Sequence, residues 1–153
     1  MKQVKTRKRS KRKTRRRNIY ATANYLIREL KKDGIVIQRY NSKTSNSIYL
    51  KLDYGVLHTI RISDHHGKKH LNYKYNLLTS CSHPTSITNK TSFGEVKQHY
   101  FPLREKKLVV DIIQKTRREK IQLYGEKNYQ TFMELKIAEN YAKTGFWLHG
   151  EIV

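Results

Sequence analysis

The sequence has little of what marks secreted, membrane-spanning or disulfide-linked proteins. Cys81 is the single cysteine, so no intrachain disulfide can form and a reducing compartment is expected. No run of about 18 apolar residues is present, so the sequence predicts no membrane span and no membrane partner. The charged N-terminus is not followed by the apolar segment of a secretory signal. These absences predict a protein of the cytoplasm.

Acidic residues are also scarce, and the resulting positive charge is unevenly distributed. The chain has 33 Lys and Arg against 12 Asp and Glu, a net charge of +21. Residues 1–17 hold eleven of the basic residues, no acidic residue and, after Met1, one aliphatic residue, Val4. Such a segment cannot bury enough apolar surface to offset the entropy cost of ordering. We therefore predict a disordered polycationic arm at 1–17 and a single domain at 18–153.

The arm is expected to contact nucleic acid, with RNA or a protein–RNA complex as the expected partner. It has no aromatic residue before Tyr20, which favours contact with phosphate backbones over reading of bases. Residues 18–153 still carry a net charge of +10, so the partner should touch the body as well. The predicted nucleic-acid contacts are Lys2, Lys5, Arg7, Lys8, Arg9, Lys11, Arg12, Lys13, Arg15, Arg16, Arg17, Arg61, Lys68, Lys69, Arg117 and Arg118.

The N-terminal half of the body predicts one helix followed by short strands. An apolar stripe at helical spacing starts at Ile19, and Gly34 can end that helix in a left-handed conformation; the stripe is Ile19, Ala23, Leu26, Ile27 and Leu30. Strands are expected over 35–40, 47–52, 56–63 and around 73–77, with a hairpin turn at 53–55. The polar stretch 80–92 is expected to be a loop, and 97–101 a further strand.

The C-terminal half predicts two helices and an edge strand. The first helix follows Pro102 and ends at Tyr124-Gly125, with Leu108, Val109, Ile112 and Ile113 facing inward. The second begins near Asn128, with Phe132, Leu135, Ala138 and Ala142 facing inward, and 146–153 should dock as an edge strand. The fold class is therefore α+β: an N-terminal helix, a small antiparallel sheet of three to five strands and two C-terminal helices.

Histidines cluster after the third strand and raise two chemical alternatives. His65 or His66 with Arg61 can serve a metal-independent ribonuclease, because imidazoles exchange protons near neutral pH while Arg61 holds the phosphate. The alternative, which we favour, is purely structural: Ser63 and Asp64 cap a turn through side-chain hydrogen bonds, and the histidines lie at the surface. A metal site would have to use Asp64, His65, His66, His70, Cys81 and His83, and no CxxC pair supports it. The residues favour a noncatalytic protein without metal, cofactor or small-molecule substrate.

Tyrosines are the other residues that can contact RNA. Seven of the eleven can stack on unpaired bases, although tyrosines at strand spacing more often pack in the half-buried core; they are Tyr20, Tyr25, Tyr40, Tyr49, Tyr54, Tyr73 and Tyr75. We expect most of them to belong to the core, with Tyr54 the most exposed because it lies in a turn. The run 115–120 is expected to be a solvated helical face, or else a basic patch beside the arm.

One known family has the same order of features. A basic N-terminus and a helix are followed by the strand Ile60-Arg61-Ile62-Ser63-Asp64-His65, and a later helix contains Val109-Val110-Asp111-Ile112-Ile113. This order resembles the phage-encoded inhibitors of type II CRISPR effectors, closest to the broad-spectrum Cas9 inhibitors with a basic disordered N-terminal segment. The present chain departs from them by its extra His66 and a longer polar loop at 80–92.

The resemblance implies inhibition of Cas9 through its guide-loaded ribonucleoprotein, in the cytoplasm of a bacterial host, with loss of intact guide RNA in some members. Carried over, the arm from Lys2 to Arg17 would matter for inhibition, and 61–65 is the matching short motif. The implied partners are the Cas9 ribonucleoprotein and its guide RNA. The residues also leave open a noncatalytic phage or mobile-element accessory protein that binds nucleic acid, and the small ribonuclease.

Overall fold

A computed structural model describes residues 18–63, 70–76, 86–91, 94–142 and 150–153; at 70–76, 86–91, 94–99 and 139–142 it describes the backbone alone. The predicted arm at 1–17 lies outside these residues. So do Asp64, His65, His66, Lys68, Lys69, Cys81 and His83, and the side chains of His70, Tyr73, Tyr75 and Ala142.

Residues 18–31 form helix α1, and its apolar stripe faces the core as predicted. Ile19, Ala23, Leu26 and Leu30 are buried, and Ile27 is partly buried against the same cluster. The helix stops at Gly34, whose φ of +76° is accessible to glycine at little cost.

In the part of the chain that the structure describes, seven strands make one antiparallel sheet in the order β5-β6-β4-β3-β2-β1-β7. The strands are β1 (Ile37–Asn41), β2 (Ile48–Leu52), β3 (Thr59–Ser63), β4 (His70–Asn76), β5 (Ser86–Thr91), β6 (Gly94–Pro102) and β7 (Glu151–Ile152). The α+β class and the C-terminal edge strand are confirmed. Within the described residues the sheet has seven strands where three to five were expected, and 86–91 forms an edge strand where a loop was expected. Its residues are almost all polar, so it lacks the alternation of apolar and polar residues by which a strand is recognised in a sequence.

Helix α2 (Lys106–Tyr124) packs on the core face of the sheet beside α1. Val109, Val110 and Ile113 are buried and Ile112 is partly buried, whereas Leu108 is 41% exposed, against prediction. Gly125, with φ of +86°, ends the helix and donates its N–H to the carbonyl of Ile121.

Helix α3 (Glu126–Ala142) presents a different face to the protein than its apolar residues predict. Phe132 and Leu135 are 37% and 60% exposed, and Ala138 is exposed as well. Tyr129 and Met133, one helical turn apart, are the buried residues. The reason is polar: the Tyr129 hydroxyl reaches a buried carboxylate on the turn after β2, and this contact fixes the rotation of the helix.

No helix within the described residues is both long enough and apolar enough to cross a bilayer.

Candidate nucleic-acid interface

Strand register places three tyrosines and an arginine in one row across the sheet face opposite the core. Tyr40 pairs with Tyr49, Tyr49 with Arg61, Arg61 with Asn72 and Asn72 with Tyr100. The row therefore crosses β1, β2, β3, β4 and β6 in turn. Neighbouring strands lie about 4.8 Å apart, so the row spans about 19 Å. We call Tyr40, Tyr49, Arg61 and Tyr100 the sheet-face row.

Alternation along each strand fixes which face the row occupies. The neighbours of its members are core residues: Leu50 is fully buried, Ile60 and Ile62 likewise, and Phe101 is 1% exposed. Side chains next to these along a strand point to the opposite face. The four side chains of the row are half-buried, so each keeps part of its surface in solvent.

Arg61 is held in the row by an aromatic ring and a hydroxyl. Its guanidinium carbon lies 5.7 Å from the centre of the Tyr49 ring. Its Nε and Nη2 donate to Ser47 Oγ at 3.4 and 3.3 Å, and Ser47 in turn donates to Ser63 at 3.1 Å. Arg61 thus reaches a hydroxyl and a π-face, and in the described part of the chain no carboxylate lies within ion-pairing distance of it.

Arg117, expected at a surface patch, lies in a buried network instead. Its Nε donates to Asp53 Oδ2 at 3.0 Å, and a second nitrogen donates to the Asp33 carbonyl at 3.2 Å. The Tyr129 hydroxyl donates to the same Asp53 oxygen, and the Val36 N–H donates to Oδ1 at 2.9 Å. Asp53 is fully buried and joins the β2–β3 turn to α2 and α3. We call Asp53, Arg117 and Tyr129 the Asp53 hub.

The hub perturbs the protonation of its members. Burial, and then hydrogen bonding to Asp53, raise the pKa of Tyr129, so the phenol stays protonated. Burial alone would lower the pKa of Arg117, but the bond and the charge of Asp53 outweigh it and the pKa rises. The prediction that Arg117 contacts nucleic acid is untested, and two of its nitrogens already donate to groups within the fold. Arg118, the next residue, is exposed.

His58 lies beside the hub and faces two lysines. Lys120 Nζ lies 3.5 Å from His58 Nε2 and donates to the Val56 carbonyl at 2.8 Å. Burial, reinforced by the charges of Lys120 and Lys136, lowers the pKa of His58 to about 3. Burial also lowers the pKa of Lys120. Since His58 is neutral near pH 7, it is unsuited to hold a phosphate by charge.

Five of the seven candidate tyrosines have described side chains. Tyr25 is partly buried against the core cluster, as expected, while Tyr40 and Tyr49 are half-buried on the opposite face of the sheet. Tyr54 is only half-buried, while Tyr20 is 43% exposed. The sheet-face row was missed because its order depends on which strands are neighbours, and β6 follows β4 only after β5. The signal that was available was Tyr49 facing Arg61 across a predicted hairpin.

Neither metal nor histidine chemistry can be assigned from these residues. In the portion of the chain with described side chains, no three His, Cys, Asp or Glu residues group closely enough to hold a metal ion. His65 and His66 lie outside that portion, so the ribonuclease alternative remains a prediction.

Comparison with known proteins adds no identification: no protein-family model matches the chain, and neither a curated protein nor a solved structure is significantly similar to it.

Proposed function

We propose that this protein is a noncatalytic RNA-binding protein that engages the guide RNA of a loaded Cas9 effector and thereby inhibits it. The observation that carries the RNA-binding part is the sheet-face row, three tyrosines and one arginine on a half-exposed sheet face. Aromatic rings on a sheet are platforms on which unpaired bases stack, and the guanidinium plane of arginine serves the same purpose.

Charge supports a polyanionic partner for that surface. The body carries +10 and the segment 1–17 adds eleven cations, so contact with phosphates at both parts is electrostatically favoured. An inhibitor that mimicked DNA to fill the basic channels of Cas9 would be acidic. A basic protein instead fits the guide RNA itself, at the parts that remain exposed when the guide is bound to Cas9.

The choice of Cas9 as target rests on the family resemblance, and the fold puts one of its short motifs at the row. Residues 60–63 form most of β3, and this strand contributes Arg61. The second motif, 109–113, lies in α2 and supplies the buried Val109, Val110 and Ile113. In this proposal the first motif supplies contacts and the second supplies packing.

Target cleavage by guide-loaded Cas9, measured with and without the full chain, tests the proposal. We expect cleavage to fall as protein is added in excess, and guide RNA to stay full length on a denaturing gel. Unimpaired cleavage across several Cas9 orthologues, with guide binding retained, would favour the accessory nucleic-acid-binding protein. Shortened guide RNA would favour the ribonuclease.

The arm has its own test. A variant with all eleven Lys and Arg of 1–17 replaced by Gln keeps the chain length but removes the charge. We expect weaker guide-RNA binding and a flatter dependence of affinity on salt, because fewer counterions are released; about six to ten phosphate contacts would be lost. An unchanged affinity and salt slope would exclude the arm from RNA contact.

A further inference from the structure

A cleft opens at the end of the sheet, between α1 and the connection from β1 to β2. Its volume is about 130 Å³. One wall is Ile19 and Tyr20 of α1; the other is the connection, which contributes two asparagines, three serines and Ile48. Of its lining residues, the sequence singled out only Tyr20 as a candidate for RNA contact.

The lining of the cleft contains no charged residue. Its accessible groups are amides, hydroxyls and the Tyr20 ring, because Ile19 and Ile48 are only 1% and 2% exposed. Amides and hydroxyls hydrogen-bond neutral edges, while the aromatic ring contacts a flat face. A phosphate would call for cations inside the cleft, whereas a nucleobase, with one polar edge and two flat faces, matches the lining.

Cations are placed outside the lining, where a backbone would run. Arg39 lies 5.5 Å from the centre of the Tyr20 ring. Its Nε donates to Asn41 Oδ1 at 3.1 Å and its Nη1 to Asn24 Oδ1 at 2.9 Å. These amide contacts orient the guanidinium beside the ring, and Glu151 lies opposite Arg39 in the pairing of β1 with β7. The same arrangement recurs in the sheet-face row, where Arg61 lies over Tyr49.

We propose that this cleft receives one unpaired base of the bound RNA strand, stacked on Tyr20; the inference rests on the RNA binding proposed above. Ser47 links the cleft to the sheet-face row, because it lines the cleft and accepts the hydrogen bonds of Arg61. The pair Tyr40–Tyr49 follows the pair Asn41–Ile48 along the strands and points to the opposite face of the sheet.

The test couples one base to one side chain. A single-stranded RNA of about ten nucleotides carries an abasic site moved along it one position at a time, and each version is titrated with wild type and with Tyr20→Ala. At one position we expect the missing base to weaken wild-type binding about tenfold and to have little effect on Tyr20→Ala. Tyr20→Phe, which keeps the ring, should behave as wild type.

Matched variants separate the cleft from general effects. Tyr124 is 40% exposed and packs edge-on against Phe132, outside the cleft and the row, so Tyr124→Ala should keep the wild-type response to the abasic site. Ser45→Leu should fill the cleft and abolish the coupling without touching Tyr20; Ser45 is exposed, so the fold is expected to tolerate it. Thermal unfolding followed by circular dichroism checks each fold.

The outcomes are distinct. If wild type binds the RNA and Arg61→Ala weakens binding, but no abasic position couples to Tyr20, the cleft inference is overturned and the proposed function stands. If wild type fails to bind any of these RNAs, both fall.

Discussion

Two arginine–tyrosine pairs in this protein have nearly the same geometry and opposite surroundings. Arg61 lies 5.7 Å from the Tyr49 ring centre, and Arg117 lies 5.5 Å from that of Tyr129. Arg117 and Tyr129 share the buried carboxylate of Asp53, whereas Arg61 contacts the hydroxyl of Ser47. The comparison shows that the group contacted by each pair, a carboxylate or a hydroxyl, decides whether the charge of the arginine is neutralised within the fold.

The physical reason lies in charge compensation. A buried carboxylate needs a cation and hydrogen-bond donors, so Asp53 uses the charge of Arg117 within the fold. The charge of Arg61 is not neutralised by Ser47, and it remains available to attract a phosphate while its plane can stack on a base. Breaking the first pair should therefore cost stability, and breaking the second should cost affinity.

The largest expected effect is on the stability of the Asp53 hub. Asp53→Ala leaves the Arg117 charge, the Tyr129 hydroxyl and the Val36 N–H without their acceptor. We expect the free energy of unfolding to fall by about 3–5 kcal/mol, measured by urea denaturation. Asp111 on α2 is exposed, so Asp111→Ala should change stability by less than about 0.5 kcal/mol. Equal effects of the two substitutions would contradict the role given to Asp53.

The next effect is a pH dependence beside the hub. His58 has a pKa of about 3 in the fold and an ordinary value of 6.5. Below about pH 6.5, His58 binds a proton in the unfolded chain but stays neutral in the folded protein. The contribution of His58 to the free energy of unfolding is therefore present above that pH and is lost as pH falls towards 3.

His58→Asn removes this titration, and asparagine tolerates the φ of +67° at this position. Between about pH 6.5 and about pH 4, wild type should lose about 3 kcal/mol more than the variant. Urea denaturation of both proteins across this range measures the difference, in which other titrating groups cancel. Parallel pH profiles would mean that His58 is protonated in the fold.

The smallest change in stability, and the main change in binding, is expected at the row. Arg61→Ala should weaken binding to single-stranded RNA about 5- to 100-fold and lower the free energy of unfolding by less than about 1 kcal/mol. Arg104→Ala removes the same charge from an exposed site that lies neither in the row nor among the predicted contacts, and it should alter affinity only slightly.

Arg117→Ala completes this comparison in reverse. It should destabilise the fold, while RNA affinity measured on the folded protein stays near wild type. A loss of RNA affinity at Arg117 without loss of stability would erase the distinction between the two pairs.

Local sequence patterns predicted the elements whose buried face is set by their apolar stripe alone. The stripe of α1 and the glycine that ends it were readable because they involve neighbours in sequence. The buried face of α3 was not readable, because Phe132 and Leu135 have the spacing of core residues. The contact that turns Tyr129 inward is made with Asp53, which is distant in sequence. Likewise β5 could not be recognised from its polar residues, and its pairing with β6 is what makes it a strand.

The candidate site was predicted in part. Arg61 was named as a contact because it lies beside the histidine cluster, and Arg117 because it lies in the basic run 115–120. Separating them requires knowing that Asp53 is buried, and Asp53-Tyr54-Gly55 reads as an ordinary exposed turn. The row itself depends on the order of strands in the sheet, and the spacing of residues along the sequence does not reveal that order.

The pairing of β1 with β7 has a consequence for how the protein is made. Glu151 and Ile152 cover the outer edge of β1, and Val153 donates its N–H to the Ile37 carbonyl at 3.1 Å. β7 leaves the ribosome roughly 110 residues after β1, a delay of roughly 5–20 s at bacterial and eukaryotic elongation rates. During synthesis the edge of β1 is an open template for strands of neighbouring nascent chains, until the chain's own C-terminal strand arrives to cover it.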